Sequence, residues 1–316
     1  MSVRYGLIFI SALLFLAVCQ EVLKGPNAQK PAGPVFYVAI NGSDRNPGSE
    51  TLPWQTIQHA ADAATPGSTV HVRGGIYAER VVIRVSGNAA QGYITFQSYP
   101  GETAILDGER LIPPDERMAM VSIHDRSYIR IRGFEIRNYR TSERRATPAG
   151  IFVSGAGSHI ELLGNNVHNI EQNWQQKGGN AFGIAVYGTN AQTPISNLVI
   201  DGNEVHHLKT GSSESVVVNG NVTDFRISHN VVHDNNNIGI DVIGHERTAA
   251  DPNTDRARDG EVSRNLVYSI TSKGNSSYGD EQNSDGIYVD GGTRVLIEQN
   301  VIHNVDFGIE LASEHK

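Results

Sequence analysis

A chain of 316 residues with 26 basic and 34 acidic side chains has a formal net charge of −8, which argues against nucleic acid as a partner. Its single cysteine, Cys19, excludes a disulfide framework, and 33 glycines with 19% charged residues describe a turn-rich, β-dominated chain. Length alone allows two domains, but a repetitive solenoid grows without splitting.

At the N-terminus, Arg4 and the apolar run Leu7 to Val18 read as a secretory signal over residues 1–19, because such a run is shorter than the roughly 20 residues a membrane span needs. Leu16-Ala17-Val18-Cys19 resembles a bacterial lipobox with Val where a small residue usually stands, so the alternatives are cleavage near that point or a lipid anchor at Cys19. A secreted or periplasmic protein without a membrane span is expected. Residues 20–34, with their prolines and glycines, read as a linker.

Val35 to Val38 starts a strand, and Thr56 to Ala64 predicts a short Ala-rich helix stopped by Pro66-Gly67, placed where it would cover the open end of a solenoid. Strand-like runs follow at Thr69 to Val72, Val81 to Arg84, Tyr93 to Gln97 and Ala104 to Leu106. Tyr37-Val38-Ala39-Ile40-Asn41-Gly42-Ser43-Asp44, Pro53-Trp54-Gln55-Thr56-Ile57-Gln58, Pro66-Gly67-Ser68-Thr69-Val70 and Gly75-Ile76-Tyr77-Ala78-Glu79 resemble the opening module of secreted bacterial right-handed parallel β-helix proteins. These belong to the pectin-lyase-like superfamily, pectate-lyase-9-like enzymes among them. The resemblance implies a fold and leaves the chemistry open among lyases, hydrolases, epimerases and adhesins.

Two phrases then recur. Asn-x-Val/Ile-His begins at Asn165, Asn203, Asn230, Asn265 (with Tyr268 for His) and Asn300. Gly-Ile-x-Val begins at Gly150, Gly183, Gly239, Gly286 and Gly308 (ending in Leu311), with Ser215-Val216-Val217-Val218 a degenerate copy. The shortest spacings, Asn300 to Gly308 and Gly286 to Asn300, together give about 22 residues, one turn of a three-sided solenoid. The chain is therefore read as all-β, one right-handed parallel β-helix over residues 35–316 with an N-terminal capping helix. The asparagines predict an inward amide ladder, and His168, His206, His233 and His303 a column that faces outward or lies at a bend. The sequence stops directly after the last Gly-Ile copy, with nothing to cover the final coil, so a C-terminally truncated domain is expected.

Ile and Val of Gly-Ile-x-Val point inward, so x and the residue two further on point out. Down the coils these outward columns read Phe152, Ala185, Val217, Asp241, Tyr288, Glu310 and Ser154, Tyr187, Asn219, Ile243, Asp290, Ala312. Both turn acidic late, with Asp241 and Glu310 roughly 9 to 10 Å apart. Insertions at 245–255 and 271–284 flank the same strand column and would wall a groove over it. Carboxylates so placed suit acid/base work on a glycosidic bond or a calcium site. Asp241, Asp285, Asp290 and Glu310 are the candidate ligands, and Tyr288, His245, Glu246, Asn219 and Tyr187 the candidate substrate contacts. Asn283-Ser284-Asp285-Gly286 resembles the Asn-Thr-Asp-Gly motif of polygalacturonase-type hydrolases, although Asp306-Phe307 stands where that family has a paired Asp-Asp.

In lyases of this fold a Lys or Arg removes the proton α to a uronate carboxylate while calcium neutralises that carboxylate. The resemblance thus implies Lys273, Arg256 and Arg258 as bases beside the catalytic carboxylates Asp241 and Glu310. The expected activity is calcium-assisted elimination on an acidic polysaccharide by a monomer. The alternatives are a glycoside hydrolase using an Asp/Glu pair and a non-catalytic glycan-binding module. The basic stretch Arg126, Arg130, Arg132, Arg137, Arg140, Arg144 and Arg145 reads as a solvated strand face.

Overall fold

The computed structural model of the chain describes residues 33–114 and 117–313, so the expected leader, Cys19 and nearly all of the expected linker lie outside the described residues. From Val35 on, three parallel sheets of nine, eight and eight strands run side by side, each strand pairing with its counterpart one coil earlier and later. Sheet A runs from Val35–Val38 to Thr293–Glu298, sheet B from Gly75–Tyr77 to Val301–Val305, and sheet C from Val81–Ile83 to Phe307–Ala312. This is the three-sided parallel β-helix that the repeat predicts. The short helix α1, Ile57–Ala63, is capped by the Thr56 side chain, which accepts from the His59 N–H, and buries Ile57, Ala60 and Ala61.

Between sheets A and B the asparagines form the expected ladder. Oδ1 of Asn203, Asn230, Asn265 and Asn300 each accepts from both the backbone N–H and the Nδ2 of the asparagine one coil earlier, at 2.9 to 3.0 Å. Asn230 Nδ2 also donates to the Ile200 carbonyl, satisfying a buried acceptor at the corner. On the outer face of sheet B the column His168, His206, His233, Tyr268, His303 stacks ring on ring, with centroids 4.7 to 5.2 Å apart. That spacing is the strand spacing itself.

The glycine of Gly-Ile-x-Val has a packing reason. A Cβ on Gly183 would sit 2.5 Å from Val205 Cγ1 and 2.7 Å from the Ser215 carbonyl oxygen of the next coil, and one on Gly239 would lie 2.6 Å from the Gly286 oxygen. The chain bends sharply inward there against its neighbours. In the degenerate copy Ser215 is accommodated because its hydroxyl donates to the Ile238 carbonyl at 3.0 Å.

The core is the stack of inward Ile and Val pairs, among them Ile151, Ile184, Val216, Ile240 and Ile287, all fully buried. It ends on Ile309 and Leu311, which are 51% and 72% exposed in the last described coil. The arginine-rich stretch is neutralised across coils: Arg130 pairs with Glu161, Arg137 with Asp107 and Glu135, and Arg140 with Glu109.

Replacing Asn230 with Ala would strand the Asn203 N–H and remove the donor to the Ile200 carbonyl inside the corner, while Asn203 Nδ2 keeps the Leu162 carbonyl. The expected loss is at least ~2 kcal/mol of unfolding free energy by urea denaturation. A loss below about 0.5 kcal/mol would mean that the ladder is dispensable.

Candidate active site

The outward columns of sheet C come out in register. Ala185 pairs with Val217, Val217 with Asp241, Asp241 with Tyr288, and Tyr288 with Glu310. The two insertions flank this sheet as expected. The first, between sheets C and A, is stapled by Asp255, whose two carboxylate oxygens accept from the Arg247 and Ala249 N–H groups. The second, between sheets B and C, folds back over earlier coils, with Asn275 Nδ2 donating to the Gly211 and Asn236 carbonyls.

The middle of the floor is covered rather than open. Ala185 and Val217 are fully buried and Asp241 is 2% exposed. Groups nearer solvent are the half-buried Tyr187, Glu214 and Tyr288 and the exposed Glu246 and Glu310. Glu214 is absent from the columns above because it precedes the degenerate copy. It stands two residues before Val216, as Phe182 stands two before Ile184, its register partner.

Burial combined with like charge dominates the electrostatics. Asp241 is pushed well above the usual carboxylate range by burial, then by Glu214 and Asp290. Glu214 is raised to about 8 by burial, then by Glu246. Asp285 is raised to about 7 by burial, then by the charge of Glu310 and a hydrogen bond with it. Asp241 and Asp285 each keep one buried oxygen, Oδ1, without a hydrogen-bond partner. Asn219 joins the floor to the wall: its Nδ2 donates to Glu246 at 2.8 Å, and its Oδ1 accepts from the Thr248 hydroxyl.

Of the expected residues, Asp290 and Glu246 act on Asp241 in this cluster, Asn219 and Tyr187 line it, and Asp285 faces Glu310 beside it. His245, with a left-handed backbone of φ 67°, lies at the root of the wall loop, its N–H donating to the Asp255 carbonyl.

The expected bases are elsewhere. Lys273 is exposed and lines a separate groove of about 660 Å³ at the edge between sheets B and C, with Glu171, Lys209, Asp234 and Asp306. Arg258 turns into the corner between sheets C and A, donating to Asn221 Oδ1 at 2.9 Å and to the Arg256 carbonyl at 3.1 Å. Arg256 forms the base of the wall loop opposite Gly244. None of the three is among the main charges acting on Asp241 or Glu214. Sequence distance to the groove misleads here because corner residues choose between two faces.

The expected calcium set is also divided. Among the described residues no three His, Cys, Asp or Glu side chains converge as ligands of one ion. Asp285 pairs with Glu310, whereas Asp241 and Asp290 belong to the group around Glu214. Asp241, Asp285, Asp290 and Glu310 therefore do not fit one preformed calcium cage.

Against known proteins, residues 36–199 match the model described as the Pel9A-like, right-handed β-helix region. The chain belongs to this family. The uncharacterized protein YwoF of Bacillus subtilis (strain 168) is 42% identical over 288 residues, covering 91% of this chain and 60% of YwoF. Pectate lyase PEL9 of Emericella nidulans is 33% identical over 156 residues, covering 48% of this chain and 38% of that enzyme. The chain thus spans less than two thirds of either relative. A rhamnogalacturonan lyase structure superimposes with a TM-score of 0.59 at 15% identity, covering 84% of this chain and 62% of the other, a likeness of fold. The matched region ends before Glu214, so family membership settles the scaffold and not the acidic cluster.

The raised carboxyls set a pH dependence. Groups whose folded pKa lies above the unfolded value stabilise the fold fully below the unfolded value, and that contribution is lost as pH rises through the folded value. For Glu214 and Asp285 the loss falls between the ordinary carboxyl range and about 8 and 7 respectively. The melting temperature should therefore fall from about pH 5 to about pH 9, with Glu214→Gln plus Asp285→Asn flattening the slope. An unchanged slope in the double variant would refute the assignment.

Proposed function

We propose that the protein cleaves glycosidic bonds of a polysaccharide on the outer face of sheet C, with Glu214 and Asp241 as an acid/base pair. The observation that carries this reading is the acidic cluster on sheet C: Asp241 is raised by burial and then by the charge of Glu214, and Glu214 by burial and then by that of Glu246. Both carboxyls lie above the usual carboxylate range, so the cluster retains protons at neutral pH and an acid is available there.

Glu214, the half-buried member, is placed to protonate the leaving glycosidic oxygen. Asp241, whose buried Oδ1 has no hydrogen-bond partner, is the member assigned the proton of the attacking water. Water then adds its oxygen to the anomeric carbon as the bond to the leaving sugar breaks, and both protons are accounted for. Tyr288, Asp290 and Glu246 border the pair, and Asn219 fixes the Glu246 side of the groove. The apolar run Leu7 to Val18 supports export, which matches a substrate outside the cell.

Elimination on a uronate polymer is the second reading, favoured by the likeness to a pectate lyase. Among the described residues no three acidic side chains converge as ligands of one ion, and Lys273 lines a different groove. The two reactions differ in product. Incubation with a panel of plant and bacterial polysaccharides is expected to release reducing ends without the ultraviolet absorbance of an unsaturated sugar. Glu214→Gln and Asp241→Asn should each lower turnover at least ~100-fold with folding retained. Unsaturated product from any substrate would favour elimination, and glycan binding unaltered by either substitution, with no turnover, would leave a binding module.

A further inference from the structure

Toward the N-terminal coils the same face of sheet C changes character. Phe152 and Tyr187 pack there over a buried outer patch of Ala119, Ala149, Phe182 and Ala185. Arg117, exposed at the start of strand Arg117–His124, lays its guanidinium over Tyr187 at 4.1 Å, Phe152 at 5.1 Å and Phe182 at 5.3 Å. It reaches across two coils to do so, and it makes no ion pair with any described residue. Attraction to the ring faces holds a guanidinium without an ion-pair partner, and such a group can take a carboxylate or sulfate through its N–H donors.

From Tyr187 to Asp241 is two further coils, roughly 10 Å. Arg117 is close enough to Glu214 to lower its pKa against the other influences. Beyond Glu214 the floor carries Asp241, Asp290 and Glu310, and among the described residues no Lys or Arg is one of the main charges acting on Asp241. The groove is thus polarised along the helix axis, cationic and aromatic at one end and acidic at the other. A chain of uronates at every position would set its carboxylates against the exposed Glu246 and Glu310, at a repulsive cost that rises as water is excluded.

We infer that Arg117, stacked on Tyr187, Phe152 and Phe182, binds the anionic group of one sugar of a mixed glycan, while an uncharged sugar one or two positions along lies at Glu214 and Asp241. The inference rests on the reading of sheet C as the glycan groove and specifies the substrate class: a heteropolysaccharide in which acidic sugars are separated by neutral ones. Its specificity lies in the spacing between the anion and the cleaved bond. The aromatic rings hold Arg117 in one orientation, so the fork is pre-organised before the glycan arrives.

The experiment separates binding from cleavage. Affinity electrophoresis of the wild-type protein, Arg117→Gln and Arg117→Lys is run in an alternating acidic–neutral polysaccharide, its carboxyl-reduced form, a sulfated glycan with the matching desulfated form, and a pure polyuronate. Wild type is expected to bind the alternating polymer about tenfold more tightly than its reduced form and more tightly than polyuronate. Arg117→Gln should erase that preference with neutral-glycan affinity unchanged and the fold retained, and Arg117→Lys should restore it only in part. The sulfated pair identifies which anion is preferred. Equal binding of charged and reduced polymers by wild type, a preference for polyuronate, or an unchanged preference in Arg117→Gln overturns the inference. Reducing ends released from the carboxyl-reduced polymer would show that the cleavage reading survives such a failure, because that assay does not involve Arg117's anion.

Discussion

In-register stacking of one coil on the next is the constraint on which the molecule depends. Each strand sits one strand spacing from its equivalents, so a residue type repeated at the coil period becomes a column of contacts. The asparagine ladder shows what such repetition gains: each amide satisfies the backbone and side chain of its neighbour and a buried carbonyl besides. The ring stack of sheet B and the inward Ile and Val pairs follow the same rule. The glycine at the inward bend belongs to it too, because at Gly183 and Gly239 an added Cβ would press on the adjacent coil.

The same translation that favours amides, rings and methyl groups is unfavourable for charge. Carboxylates at neighbouring levels of a rigid sheet cannot move apart, and burial removes the water that would screen them. Asp241, Glu214 and Asp290 are held in that arrangement, and the orphaned oxygens of Asp241 and Asp285 add to its cost. A fold that satisfies its polar groups so regularly elsewhere gives up stability here. Such local conflict with otherwise consistent packing is how functional sites are recognised.

Family membership and chemistry separate along the chain. The matched region supplies the capping helix, the first coils and the aromatic end of sheet C, including Arg117 and Tyr187. The acidic coils and the two wall loops follow it. The family scaffold thus carries, on its later coils, a group of carboxyls from which Lys273 turns away and in which, among the described residues, no three converge as ligands of one ion.

What the sequence determined by itself was the translation along the axis: the number of sides, the asparagine ladder, the capping helix, and which residues share the columns that turn acidic at Asp241. All of these depend on a period, which one chain records directly. Tertiary structure decided the rest, because corners and long side chains break that period. Glu214 was hidden by a copy in which Ser215 replaces glycine, and its role appears only when register sets it beside Phe182 and near Asp241. Arg117 reaches rings on strands that begin at Thr147 and Phe182, a contact no spacing rule encodes. Lys273 and Arg258 lie close in sequence to the groove yet turn onto other faces, since a loop residue's direction is fixed by the carbonyls and amides it meets at the corner. Asp285 and Glu310 pair with each other instead of completing a cage with Asp241, because side-chain direction, unlike strand register, depends on packing with the whole coil in place.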